Sequence, residues 1–137
     1  MFQTLDISAS ALTAQRVRMD TVAANIANMN TTRDADGRAN PYRRRFVVFG
    51  AGQGPGGSGA GKAGVHVQKV AIDPSPFEKK YDPGNEDAGP DGYVKLPNIN
   101  MATEMVNAIE ASRAYEANIT TMEVTKSMMN ATLRLLA

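Results

Sequence analysis

Between Gly50 and Gly64 the chain carries eight glycines in fifteen positions, and two phosphate-binding patterns run through them. Gly52, Gly54 and Gly57 satisfy G-x-G-x-x-G, and Gly56 with Gly61-Lys62 satisfies most of the P-loop pattern. Such loops work because backbone N–H groups and a helix N-terminus point at phosphate oxygens. The second pattern ends on Ala63, which has no hydroxyl for magnesium. Both are followed by Val65, Val67 and Val70, an alternation that predicts a strand where the phosphate cradle needs a helix. A nucleotide-binding enzyme is therefore the weaker reading, one that an ATP titration with Lys62→Ala as control would decide.

Other chemistry-bearing side chains lack partners. His66 is the single histidine, on a predicted strand, and the chain has no cysteine. Ser58 sits in the glycine loop, where nothing holds a nucleophile in geometry. Asp82, Glu86, Asp87 and Asp91 gather in a Pro/Gly stretch without calcium-loop spacing, and read as solvated turn carboxylates. Arg43, Arg44 and Arg45 form the one basic run. On a strand Arg43 and Arg45 share one face and Arg44 takes the other, a charged edge that discourages aggregation in preference to an acidic contact. Aromatics at 6% and a net charge of +1 argue against nucleic acid. No catalytic, cofactor-binding or metal-binding residue is assigned, and no small-molecule substrate is expected.

Asparagines stand out instead. Asn25 and Asn28 lie within a predicted helix, and Asn118 lies in another, although Asn is a poor helix former. Buried amides that fix helix register explain such placement, as a polar core residue does in coiled coils.

The elements that must position these residues follow from glycine and proline. All 12 Gly and all 7 Pro fall between Gly37 and Pro97, and the two ends contain neither. Gly costs about 1 kcal/mol and Pro about 3 in a helix interior, so two helical ends flank a non-helical middle. The first helix is expected from Phe2 or Thr4 to Asn30. Leu5, Leu12, Met19 and Ile26 are seven apart, with Ser8, Gln15, Val22 and Met29 as the companion row. In the last segment Met101, Ala108, Tyr115, Met122, Met129 and Leu136 are seven apart, with Met105, Ile119 and Leu133 in the companion row. Pro97, Asn98 and Asn100 mark its start, and Glu104 falls in the first turn. The two apolar stripes are expected to pack together.

The predicted fold class is mainly α with a small irregular β part: long terminal helices paired as a coiled coil around a Gly/Pro-rich β/loop middle. Segments 1–32, 33–97 and 98–137 are the corresponding units. Strands are expected at Tyr42–Phe49 and Val65–Ile72, with a short one at Tyr93–Leu96, while Asp73–Pro90 reads as an extended loop. Leu, Ile, Val and Phe together make only 19% of the chain, below the roughly 20% at which independent folding weakens. At low net charge this predicts helices that find their partners by assembly. No stretch approaches about 18 apolar residues, so no membrane span is expected, and the N-terminal stretch lacks the pattern of a cleaved secretory signal.

At these residues a family resemblance emerges. Ala24-Asn25-Ile26-Ala27-Asn28-Met29-Asn30-Thr31 resembles the N-terminal signature of the bacterial flagellar rod and hook family. Asn98-Ile99-Asn100, Glu104-Met105, Ala111, Arg113, Tyr115-Glu116-Ala117-Asn118, Lys126 and Leu133 resemble its C-terminal helix. Tyr81-Asp82-Pro83-Gly84, Asp87-Ala88 and Gly92 to Asn98 look like the linker of its proximal-rod members, with Glu86 standing where they usually show proline. The resemblance implies a structural subunit of the flagellar basal body. Such a subunit is exported through the type III apparatus without a cleaved signal and stacks helically with itself and other rod proteins in the periplasm. The expected assembly seam is Leu5, Leu12, Met19, Val22, Ile26, Met101, Met105, Tyr115, Ile119, Met122, Met129, Leu133 and Leu136. Asn25, Asn28, Asn98, Glu104, Arg113 and Asn118 are the expected register and motif residues. A soluble helical adaptor or export chaperone that folds as a dimer is the alternative.

Overall fold

The computed structural model describes residues 2–52 and 63–136, in which two helices enclose four short strands. The order is α1 (Phe2–Ala27), β1 (Arg45–Ala51), β2 (Val65–Ile72), β3 (Glu78–Tyr81), β4 (Tyr93–Leu96) and α2 (Met101–Leu136). The protein is mainly helical with a small β part, as the glycine and proline partition predicts. The G-x-G-x-x-G and P-loop-like patterns run through Gly54, Gly56, Gly57, Gly61 and Lys62, which lie outside the described residues, as does Ser58.

α1 stops at Ala27, three residues before the expected end. The Asn28 N–H still donates to the Ala24 carbonyl (3.1 Å), but Asn28 Nδ2 takes the same oxygen at 2.8 Å. The chain then turns, and the Thr31 N–H donates to the Asn28 carbonyl. α2 begins under an Asn100 cap, whose Oδ1 accepts the Thr103 N–H at 3.2 Å and satisfies one of the orphan donors of the first turn.

The helices run antiparallel. Asn25 meets Glu104, Arg18 meets Glu110, and Leu5 lies beside Ile119 and Met122. α2 has 36 residues against 26, so its end beyond about Lys126 overhangs α1. Ser8, Ala14, Val22 and Asn25 are buried on α1, and Glu104 and Ala111 on α2. Leu5, Leu12, Met19 and Ile26 are half-buried, as are Ala108, Tyr115, Met122 and Met129.

The companion row on α2 needs correction for the packing within one chain. Met105, Ile119 and Leu133 are 51%, 37% and 63% exposed, and the inward row is one residue earlier, at Glu104, Ala111, Asn118 and Thr125. The cause is Glu104, whose carboxylate must turn inward to reach its partners. A residue one position on is rotated by about 100°, which carries Met105 and Leu133 outward and leaves Ile119 at the edge of the seam beside Leu5.

β1 and β2 form an antiparallel hairpin with a bulge between Val48 and Phe49. It leans on α1, where Ser10 Oγ accepts the Val65 N–H at 3.1 Å. Gly64 makes that approach possible: a Cβ there would sit 2.9 Å from Ser10 Oγ, and its φ of +149° suits glycine. β3 and β4 form a second antiparallel pair, with Tyr81 opposite Tyr93 and their rings edge-to-face at 5.2 Å. β3 lies inside the stretch expected to be loop. Glu78-Lys79-Lys80 has low strand propensity, and what makes it a strand is the partner β4 and the tyrosine pair.

Candidate functional site

The three ends meet in one buried knot. Glu104 and Asn25 are both 0% exposed. Glu104 Oε1 accepts from Arg44 Nε at 2.8 Å and lies 2.8 Å from Arg44 Nη2, and Oε2 accepts from Asn25 Nδ2 at 2.9 Å. Asn25 also brackets the start of β1. Its Nδ2 donates to the Arg45 carbonyl (2.7 Å), and its Oδ1 accepts the Arg45 N–H (3.0 Å) and the Tyr42 hydroxyl (3.3 Å). A strand end is thereby paired to an amide side chain as it would be to another strand, which satisfies backbone groups that burial would otherwise leave orphaned.

Asn98 completes the knot from the other side. Its Oδ1 accepts the Arg44 N–H at 3.0 Å, and its Nδ2 donates to the Ser75 carbonyl at 3.4 Å. Arg44 Nη1 lies 3.5 Å from Asp73 Oδ2, so one guanidinium joins two carboxylates. The Asp73 carboxyl is held below its ordinary value first by the Ser75 hydroxyl and N–H, and then by Arg44. With each Glu104 oxygen occupied by a donor, the arrangement is built to hold segments together.

A second fastening lies in the linker. Asp87 accepts from the Thr32 hydroxyl and from Arg33 Nε, both at 2.7 Å, and Glu86 accepts from Arg33 Nη2 at 3.0 Å. The Thr32 hydroxyl bond and the Arg33 charge hold the Asp87 carboxyl below its ordinary value. Asp87 is therefore no solvated turn carboxylate, and the linker is pinned to the turn after α1.

The expected register residues separate into three kinds. Asn25, Asn98 and Glu104 join the knot. Asn28 and Asn118 instead bond to the carbonyl four residues back, Asn28 Nδ2 donating to Ala24 at the end of α1 and Asn118 Nδ2 to Ala114 at 2.7 Å. In a helix the carbonyl four residues back is within reach of an Asn side chain, and among the described residues Asn118 makes no cross-helix bond. Arg113 is exposed. The Leu136 side chain lies outside the described residues. Within the basic run, Arg44 turns inward as its alternation with Arg43 and Arg45 allows, and the solvated-edge reading fails for it because two carboxylates await it. Arg43 instead lies over the Phe77 ring at 4.2 Å. Tyr42 and Asp73 were not legible as site residues, since neither stands in a motif.

The outward face of α2 is the other distinctive feature. Met105, Val106, Ile109, Ile119, Val124 and Met128 are exposed along it. The buried positions between the helices are mostly small or polar, Ser8, Ala14, Asn25, Glu104 and Ala111 beside Val22, and the Gln15 side-chain oxygen is buried without a hydrogen-bond partner among the described residues. Among the described residues no helix is long and apolar enough to cross a membrane.

Comparison with known proteins accounts for this combination. Residues 5–33 match the sequence family described as flagella basal body rod protein, and residues 91–135 match the C-terminal family of flagellar basal body rod FlgEFG proteins. The chain belongs to the flagellar basal-body rod protein family. It is 46% identical to the flagellar basal-body rod protein FlgC of Bacillus subtilis, over 93% of each chain. It is 44% identical to FlgC of Escherichia coli O6:H1, over 95% of this chain and 93% of that one. It is 40% identical to FlgC of Borreliella burgdorferi, over 99% and 97%.

Proposed function

We propose that this chain is a structural subunit of the proximal part of the flagellar basal-body rod. It assembles helically with copies of itself and with other rod proteins through its terminal helices, and its role is not catalytic. It reaches the periplasm through the type III export apparatus without a cleaved signal. The observation that carries the reading is the number of large apolar side chains that α2 leaves exposed, among them Met105, Val106, Ile109, Val124 and Met128, while its buried positions are Glu104 and Ala111. Covering each large side chain contributes about 1.5–3 kcal/mol, and only neighbours can supply that cover. In assembly the seam would draw on Leu5, Leu12, Met19, Ile26, Met101, Tyr115, Met122 and Met129 together with the exposed row Met105, Ile119 and Leu133. The full-length relationship to FlgC proteins supports the proximal placement.

The test is mass spectrometry of detergent-extracted hook–basal bodies. Stoichiometric recovery with other rod proteins is expected. Absence there, with a discrete soluble dimer in the cytoplasm, would overturn the reading in favour of the helical adaptor.

A further inference from the structure

The β3–β4 ribbon turns two lysines and two tyrosines to one side. Val94 is buried at 2% exposure, so strand alternation sends Lys79, Tyr81, Tyr93 and Lys95 to the opposite face. Lys79 stands directly across the ladder from Lys95, and both are exposed. Like charges in that position, with Cβ atoms about 5 Å apart, destabilise the pair. Among the described residues no carboxylate forms an ion pair with either lysine. Beside them opens a groove of about 410 Å³. Lys79, Tyr93 and Lys95 form one wall, and Pro41 with Pro90 and Asp91 stands around the rest. The bonds from Thr32 and Arg33 to Asp87 tie these segments together, so the groove is formed before anything enters it. Arg33 neutralises Asp87, which leaves two lysines against Asp91, the one lining carboxylate without an ion pair among the described residues. Asp91 lies on the turn before β4 and Lys95 is the third residue of that strand, so the negative charge is set apart from the lysine pair.

We infer that this groove binds an extended acidic segment of a different protein, with the segment's carboxylates on Lys79 and Lys95. Its apolar side chains rest against Tyr93 and Pro41, and its backbone N–H groups turn toward Asp91. A peptide carries acceptors, apolar groups and donors along one short stretch, whereas a bare phosphate brings nothing for Asp91 or the tyrosine. The chain does not supply this segment from a second copy of itself. Its single adjacent acidic pair, Glu86-Asp87, is held by Arg33. Of its next closest pair, Asp34 accepts from the backbone of its own turn and Asp36 faces Arg38 at 3.9 Å. Charge complementarity of this kind sets partner choice and encounter rate more than affinity. The surface belongs to the linker, apart from the helix faces of the proposed rod contacts, and does not depend on them.

The test is fluorescence anisotropy of a labelled hexaglutamate peptide titrated with the purified full-length chain at about 50 mM salt, where screening is weak. Saturable binding is expected, weakened about tenfold in K79Q/K95Q. K69Q/K126Q removes the same charge from exposed lysines elsewhere and should bind within about twofold of the wild type. K79Q/K95Q should also unfold at a higher urea concentration than the wild type, because the repulsion across the ladder is relieved. That result separates lost binding from lost fold. Equal affinities of the two double variants would overturn the inference, as would failure to saturate by about 1 mM chain. Tripolyphosphate binding as tightly as the peptide would assign a bare-anion site and overturn the peptide occupant.

Discussion

Replacing Glu104 by alanine is the sharpest test of the knot. The substitution removes two contacts to Arg44 at 2.8 Å and one to Asn25 at 2.9 Å, in a site with no solvent to replace them. Removing one member of a buried ion pair costs about 3–5 kcal/mol, because the remaining charge stays desolvated. Arg44 keeps Asp73 at 3.5 Å and its side chain is 22% exposed, which moves the expectation to the low end, about 3 kcal/mol. That is a large part of the roughly 5–15 kcal/mol that stabilises a domain. With a urea m-value of about 1–3 kcal/mol/M, the midpoint should fall by roughly 1–3 M, read by far-ultraviolet circular dichroism of the purified chain. Glu116→Ala, on the exposed side of the same helix, serves as control and should stay within about 0.5 kcal/mol. The paired change Arg44→Met/Glu104→Met removes both charges and should recover all but about 1 kcal/mol, since buried pairs often add little net stability over apolar isosteres. Equal midpoints for Glu104→Ala and Glu116→Ala would refute the reasoning.

Three further outcomes follow from the same geometry. Asn25→Ala strips both backbone partners from Arg45 and should cost about 2–3 kcal/mol in urea unfolding, whereas Asn118→Ala, losing only a bond within its own helix, should cost under about 1. Asp73 and Asp87 have folded values below the ordinary carboxylate value near 3.9, so their contribution is complete above that pH and is lost as pH falls through the folded values. Acid titration of the wild type should show this loss below about pH 4, and D73N/D87N should be less stable at neutral pH with a flatter acid limb. Met105→Ser and Leu133→Ser should each change urea stability by less than about 1 kcal/mol, because these side chains are already more than half exposed, yet reduce the yield of assembled rods on electron micrographs; a large stability loss would mean that the row packs within the chain.

Much of the molecule is legible in its residue order. The confinement of Gly and Pro to residues 37–97 dictates two helical ends and an interrupted middle, because the cost of those residues in a helix is intrinsic to the backbone. Val65–Ile72 and Tyr93–Leu96 follow from β-branched alternation, and the Asn100 cap follows from local hydrogen bonding. The asparagine at position 25 announced itself by its poor fit to a helix. β3 did not, since Glu78-Lys79-Lys80 becomes a strand only opposite β4.

Tertiary structure alone decided which face of α2 turns inward. A period of seven allows neighbouring rows, and Met105, Ile119 and Leu133 are the more apolar choice. The Glu104 carboxylate overrules them, because a buried charge must find Arg44 and Asn25 at hydrogen-bonding distance, whereas exposed apolar side chains can wait for a neighbour. The same requirement made Arg44 an internal residue and left Arg43 and Arg45 outside the knot. Sequence determined the helices, where each residue's preference is its own; contact determined their rotation, where one buried ion pair outweighs a more apolar row.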